Sequence, residues 1–359
     1  MIFLDIKSYF NEKLSKVLFL EFTPERIKKL FNASIEEKIY VPLRSSDMLN
    51  EIKNKNNLDE IPIAYFIEGI FFVIGADKNF KYVDKYKKII LARKENTKFI
   101  KGKIFENIKN KNYEEAYILL KGLLNVEKSK ENFNKLIMLC DNLRQKDSMY
   151  KDEEKDIINL GKSIDNYALP YLYEAILQRE EGKYEKALFN IDTYILKGGK
   201  ETAEVIDIKQ SLESIVSYEK GKSLVSHNPE EALKILVPLM DEMGNDANLI
   251  YFIAVAYRNI ENYEKAIYYL NEALSIDSNI VEIFNELGIN YASLGDFNNA
   301  ILYFRKVFEV TKSIEVCTNL VMCYLNINDI NQSKIHYEIA KKINPKDEVV
   351  MQLKEFFEK

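Results

Sequence analysis

Apolar residues recur at helical spacing along most of this chain. Ala266, Leu270 and Ala273 step by four and three positions, which places them on one face of a helix. Ala254 and Tyr257 stand ahead of them on a preceding helix. The arrangement then returns: Leu287, Gly288 and Tyr291 precede Ala300, Phe304 and Val307, and Leu320, Val321 and Tyr324 precede Ser333, Tyr337 and Ala340. The equivalent residues Ala232, Ala266, Ala300 and Ser333 are spaced by 34, 34 and 33 positions. Short polar turns, "NIEN" at 259–262 and "SLGD" at 293–296, separate the two helices of a unit. A period of this size predicts stacked helical hairpins. Each hairpin has one wet face and two apolar ones, so a neighbour must cover what a single unit leaves exposed.

Small residues where two helices cross let the backbones approach, and an aromatic beside them fills the remaining space. That succession appears as Gly288, Tyr291, Ala300, Phe304 and Val307, with Pro345 closing the last unit. It resembles the tetratricopeptide repeat. The Trp usual early in that family's first helix is missing, and Ile250, Phe284 and Cys317 stand in its place. The resemblance is strong over about residues 248–347 and weaker over about 97–247. It implies an all-α superhelix of stacked hairpins whose first helices line a concave groove. Ala116 and Ala187 mark further hairpins 71 residues apart, leaving room for a degenerate unit between them. The 45 residues from Ala187 to Ala232 predict one extended helix.

The expected organisation is a mostly helical N-terminal module over 1–95, degenerate hairpins over 96–212, repeats over 213–347 and a capping helix over 348–359. In that last helix Val349, Val350, Leu353 and Phe357 are expected to face the final hairpin. In the module, Thr23-Pro24 predicts a helix start. Ser34 with Glu37 reads as a capping box opening another. Lys38–Leu43 is expected to be extended because Pro42 disfavours helix before it. Residues 51–60 read as a polar loop. Residues 61–76, "IPIAYFIEGIFFVIGA", form the most apolar run. It is too short to span a bilayer and carries Glu68, so it reads as a buried helix.

Catalytic raw material is sparse. His227 and His336 are the only histidines and fall in different repeats. Neither stands beside a Cys or a carboxylate pair, so neither a metal site nor a Ser-His or Cys-His nucleophile is expected. "GKS" at 161–163 and 221–223 lacks the earlier Gly of a phosphate loop and sits in helical pattern. Carboxylates are expected on solvated helix faces. No enzyme activity and no cofactor are therefore expected. Cys140, Cys317 and Cys323 form no metal or redox motif, which fits buried thiols in a reducing cytosol. No uninterrupted apolar core for a signal peptide appears near the start.

What the resemblance leaves is surface. By register, the groove-facing residues are Tyr251, Val255 and Arg258, then Glu282, Asn285, Glu286 and Ile289, then Glu315, Thr318, Asn319 and Met322. Asn both donates and accepts, which suits the backbone of an extended peptide. The lysine-bearing carboxylate clamp of some relatives is not recognisable, since no Lys occurs from Ala266 to Phe304.

Charge sharpens this picture. Residues 201–300 hold 17 acidic and 6 basic side chains, whereas residues 77–111 hold 12 basic and 4 acidic. The overall net charge of −5 conceals the polarity. An acidic groove prefers a Lys- or Arg-rich segment. The basic stretch has no accompanying nucleic-acid motif. The expectation is a cytoplasmic, bacterial, non-catalytic scaffold or adaptor that binds protein or peptide. Its rivals are a peptide-responsive regulator, an accessory subunit of an enzyme complex, and a nucleic-acid binder acting through residues 77–111.

Overall fold

A computed structural model describes residues 5–44 and 61–357, so the loop expected at 51–60 lies outside the described residues. The chain divides into two compact units, Met1–Thr202 and Ala203–Lys359. The described residues contain nineteen α-helices and one two-stranded sheet.

The first unit opens with α1 (Ile6–Ser15), capped by Asp5, whose carboxylate accepts from the Ser8 amide at 2.9 Å. β1 (Val17–Phe22) pairs antiparallel with β2 (Ile39–Arg44), from Val17 opposite Arg44 to Phe22 opposite Ile39. Pro42 lies inside β2, which a two-stranded sheet tolerates because each strand has a free edge. Between them α2 (Pro24–Phe31) begins at Thr23 as expected and ends at Asn32 in the left-handed conformation, φ 57°. The Ser34/Glu37 capping box opens no helix. Residues 32–38 are non-helical, Ala33 and Ile35 are buried in the core, and Glu37 pairs instead with Lys85 at 2.5 Å. Burying two apolar side chains outweighs a cap worth about 1 kcal/mol.

The apolar run forms the expected buried helix, α3 (Ile63–Ala76). α4 (Val83–Leu91), α5 (Glu95–Lys109), α6 (Tyr113–Leu124), α7 (Lys130–Arg144), α8 (Lys151–Lys162), α9 (Leu169–Glu180) and α10 (Tyr184–Leu196) follow. α3 packs on β2 and on α6. The α3–α6 crossing is so close that a Cβ on Gly75 would run into the Ile118 carbonyl, and one on Gly122 into that of Phe71. One core runs from Phe10 to Tyr167, through residues on both sides of position 95.

The second unit holds α11 (Ala203–Leu224), α12 (Pro229–Met243), α13 (Ala247–Asn259), α14 (Tyr263–Ile276), α15 (Val281–Ser293), α16 (Phe297–Thr311), α17 (Ile314–Asn326), α18 (Ile330–Ile343) and α19 (Glu348–Phe357). The extended helix expected from the 45-residue gap is α11, at 22 residues. Its apolar core is a chain of separate clusters, one per interface, as a stack requires. Repeat-equivalent aromatic pairs brace the hairpins: Tyr257 stacks on Tyr269 at 5.4 Å and Tyr291 on Tyr303 at 5.6 Å. His336 takes the second place in the third pair, 5.1 Å from Tyr324. Val350 and Leu353 of α19 are buried and Phe357 stacks on Tyr337 at 4.9 Å. Val349, expected to face inward, is exposed.

The same turn recurs in both units. Lys111, Gly182, Glu261, Gly295 and Asn328 all have positive φ, between 61° and 78°. Each stands five residues before the small residue that marks its second helix, Ala116, Ala187, Ala266, Ala300 or Ser333. In each the next amide reaches back to close the hairpin, as in Asn262 to Tyr257 O and Asp296 to Tyr291 O, both 2.9 Å.

Candidate functional site

α13, α15 and α17 are the first helices of consecutive hairpins, and α13 touches α15 directly. Asp246 sets the start of α13, its carboxylate accepting from the amides of Asn248 (2.8 Å) and Leu249 (3.0 Å). From there Tyr251, Val255 and Arg258 follow the helix period along one side, all half-buried.

Arg258 Nε lies 3.2 Å from Glu286 Oε2 on α15. Glu286 is only 7% exposed. Burial pushes its carboxyl above the ordinary range, Arg258 opposes the rise, and Glu315 adds to it. The Tyr251 phenol is pushed up to about 12, by burial first and then by Glu286 and Glu282. The structure thus brings Tyr251, Arg258, Glu282, Glu286 and Glu315 into one electrostatic neighbourhood across three hairpins. It holds three carboxylates and one guanidinium, so the neighbourhood is negative. Glu282 and Glu315 are exposed and Asn319 is half-buried.

Three amide-bearing or acidic groups here have oxygen atoms without a hydrogen-bond partner: Asn285 Oδ1, Asn290 Oδ1 and Glu286 Oε2, the last held only by the ion pair. Asn290 is fully buried and donates from Nδ2 to Glu286 O at 2.7 Å. Sequence reasoning passed over Asn290; a polar residue at a core register of α15 was the available signal. Thr318 does not offer its hydroxyl outward. It is buried and donates to Glu315 O within its own helix at 2.9 Å.

The first unit corrects one expectation. Its carboxylates are not all solvated: Glu154 on α8 is fully buried. Arg144 on α7 pairs with it at 2.5 Å, with Asp141 at 2.6 Å and with Glu180 of α9 at 2.6 Å. Burial raises the Glu154 carboxyl to about 7 despite Arg144. This cluster ties three helices together. A cavity of about 620 Å³ also opens in this unit, lined in part by Lys13, Arg44, Glu68, Glu114 and Glu115. Five of its charged groups pair among themselves: Arg44 with Glu115 and Glu68, and Lys13 with Glu114.

Both GKS segments lie at or within helix, at the end of α8 and inside α11. Among the described residues no group of three His, Cys, Asp or Glu is placed to hold a metal ion. Among them also, no helix is long and apolar enough to cross a membrane.

No curated protein matches the chain. Among solved structures, YrrB, a TPR protein with an unusual peptide-binding site, is 18% identical, with 55% of this chain and 96% of that chain covered and a TM-score of 0.38. The MamA protein is 16% identical, with coverages of 54% and 96% and a TM-score of 0.33. The family model for the tetratricopeptide repeat matches at residues 247–280, 281–313 and 314–347. These three spans begin at or within one residue of α13, α15 and α17, and each contains one complete hairpin. Residues 247–347 are three tandem tetratricopeptide repeats within an all-helical stack of hairpins.

Proposed function

We propose that the second unit is a non-catalytic scaffold or adaptor that grips an extended protein or peptide segment on the face lined by α13, α15 and α17. The observation that carries this reading is the cluster of Glu282, Glu286 and Glu315 around Tyr251 and Arg258, which holds more carboxylates than cations. The half-buried Asn285 and Asn319 amides suit the backbone of an extended segment, and a basic side chain meets the acidic cluster. The preferred segment is therefore rich in Lys or Arg. A cytoplasmic, bacterial setting belongs to the same proposal, and the three buried free thiols support a reducing compartment.

The experiment is titration of the full chain with extended peptides of equal length, one Lys-rich and one Glu-rich. Preferential binding of the basic peptide is expected. Glu282→Lys with Glu315→Lys should weaken it about tenfold or more, and Asn285→Ala with Asn319→Ala by a smaller factor. Equal affinity for both peptides, or binding indifferent to the charge reversal, overturns the reading.

A further inference from the structure

The second surface lies in the first unit, on α5. Its inward side is fixed: Ile100 and Ile104 are buried, and Asn96 Nδ2 donates to Ile89 O and Ile90 O, tying α5 to α4. Its outward side is a stripe. Lys94, Lys101, Phe105 and Lys109 all fall within about 60° of Lys98 around the helix axis. Glu95 and Glu106 both fall at one edge of that stripe. Lys101 pairs with Glu127 at 2.6 Å. Lys94, Lys98 and Lys109 form no ion pair among the described residues. Phe105 is 70% exposed, and Leu91, three residues before Lys94 in the chain, is 66% exposed.

Phe105 protrudes among lysines and is unnecessary for packing α5. We propose that this face docks on an anionic bilayer surface, with Phe105 entering the boundary between headgroups and acyl chains and the lysines meeting phosphates.

The stripe is a ridge: Glu106 at its edge lines the charged cavity of this unit, but its lysines and Phe105 do not. An extended peptide needs a groove with pockets for alternate side chains. A single nucleic-acid strand needs successive aromatic platforms, and Phe105 is the one aromatic on the stripe. A lipid surface is fluid and accommodates a ridge. Basic residues flanking an exposed Phe are the composition that interfacial helices use. Each lysine at such a surface strengthens attachment about fivefold.

The test is co-sedimentation of the full chain with vesicles of phosphatidylcholine alone and with about a third phosphatidylglycerol. Attachment to the anionic vesicles only is expected, largely released at about 1 M salt, where the screening length falls to about 3 Å. Lys94→Glu with Lys98→Glu should reduce it about tenfold or more. Should that pair disturb folding, Lys94→Gln with Lys98→Gln serves, checked by circular dichroism. The chain has no Trp, so Phe105→Trp introduces a single reporter whose emission should shift to the blue on vesicle addition. No attachment to anionic vesicles overturns the proposal. So does attachment unaffected by the lysine changes. So does a reporter that stays in water while single-stranded nucleic acid or polyglutamate competes fully.

Discussion

Arg258 of one hairpin holds its guanidinium Nε 3.2 Å from the buried carboxylate of Glu286 on the next. The pair joins two repeats at the face proposed to grip a partner. Burial raises the Glu286 carboxyl, so the folded state holds its proton more readily than the unfolded chain does. Stability therefore falls as pH rises through the folded pKa and is regained below it. Arg258 limits that loss.

Arg258→Ala should therefore cost about 2 kcal/mol at neutral pH, and the loss should shrink on acidification. Glu286→Gln in the same chain should restore much of it, because no uncompensated charge remains. Urea denaturation of the single and double variants at two pH values checks this. An Arg258→Ala penalty independent of pH would count against it.

Glu154 gives the second pH prediction. Its carboxyl is raised to about 7 against an ordinary value of 4.5. The sign is the same: stability falls as pH rises between those values and the loss is complete above about 7. Glu154→Gln should flatten that slope. It should match the parent near pH 5 and exceed it by about 1–3 kcal/mol near pH 8. Chemical denaturation of the full chain across this range is the measurement.

The recurring turn separates glycine from other residues. Glu261 adopts φ 61° where Gly295 adopts 78° in the next hairpin. A side chain in that region costs about 1 kcal/mol. Glu261→Gly should stabilise the second unit by up to that amount and Gly295→Ala should destabilise it similarly, read as shifts of the urea midpoint.

The α3–α6 crossing predicts a larger effect. A Cβ at Gly75 meets backbone, which cannot swing aside as a side chain can. Gly75→Ala should cost about 2 kcal/mol or more. At Gly102, on the exposed side of α5, a Cβ meets nothing within 4 Å. Gly102→Ala should instead stabilise by about 0.5–1 kcal/mol. Thermal melts of both variants decide it.

All three cysteines are buried. Burial pushes the thiols of Cys317 and Cys323 up to about 11 and raises that of Cys140 as well. The native chain should therefore resist iodoacetamide at neutral pH and take up three labels on unfolding, as counted by mass spectrometry.

The repeats were legible because their information is local. The step of three and four that puts Ala300, Phe304 and Val307 on one face also decides what the next helix must bury, and the period then copies the solution. The extended α11 and the buried α3 followed from the same reasoning. The sequence by itself thus determined the helical hairpins, their number in the matched region and the register of Tyr251, Arg258, Glu282 and Glu286 on one side of their helices. Tertiary structure decided what depended on partners far apart in the chain. The pairing of Val17–Phe22 with Ile39–Arg44 pulled Ala33 and Ile35 into the core and overrode the Ser34/Glu37 cap. Glu154 looked like any solvated acid until α7 and α9 closed over it with Arg144 and Glu180. The local spacing of side chains fixes which face a residue occupies, and only docking fixes whether that face meets water, a charge or another helix.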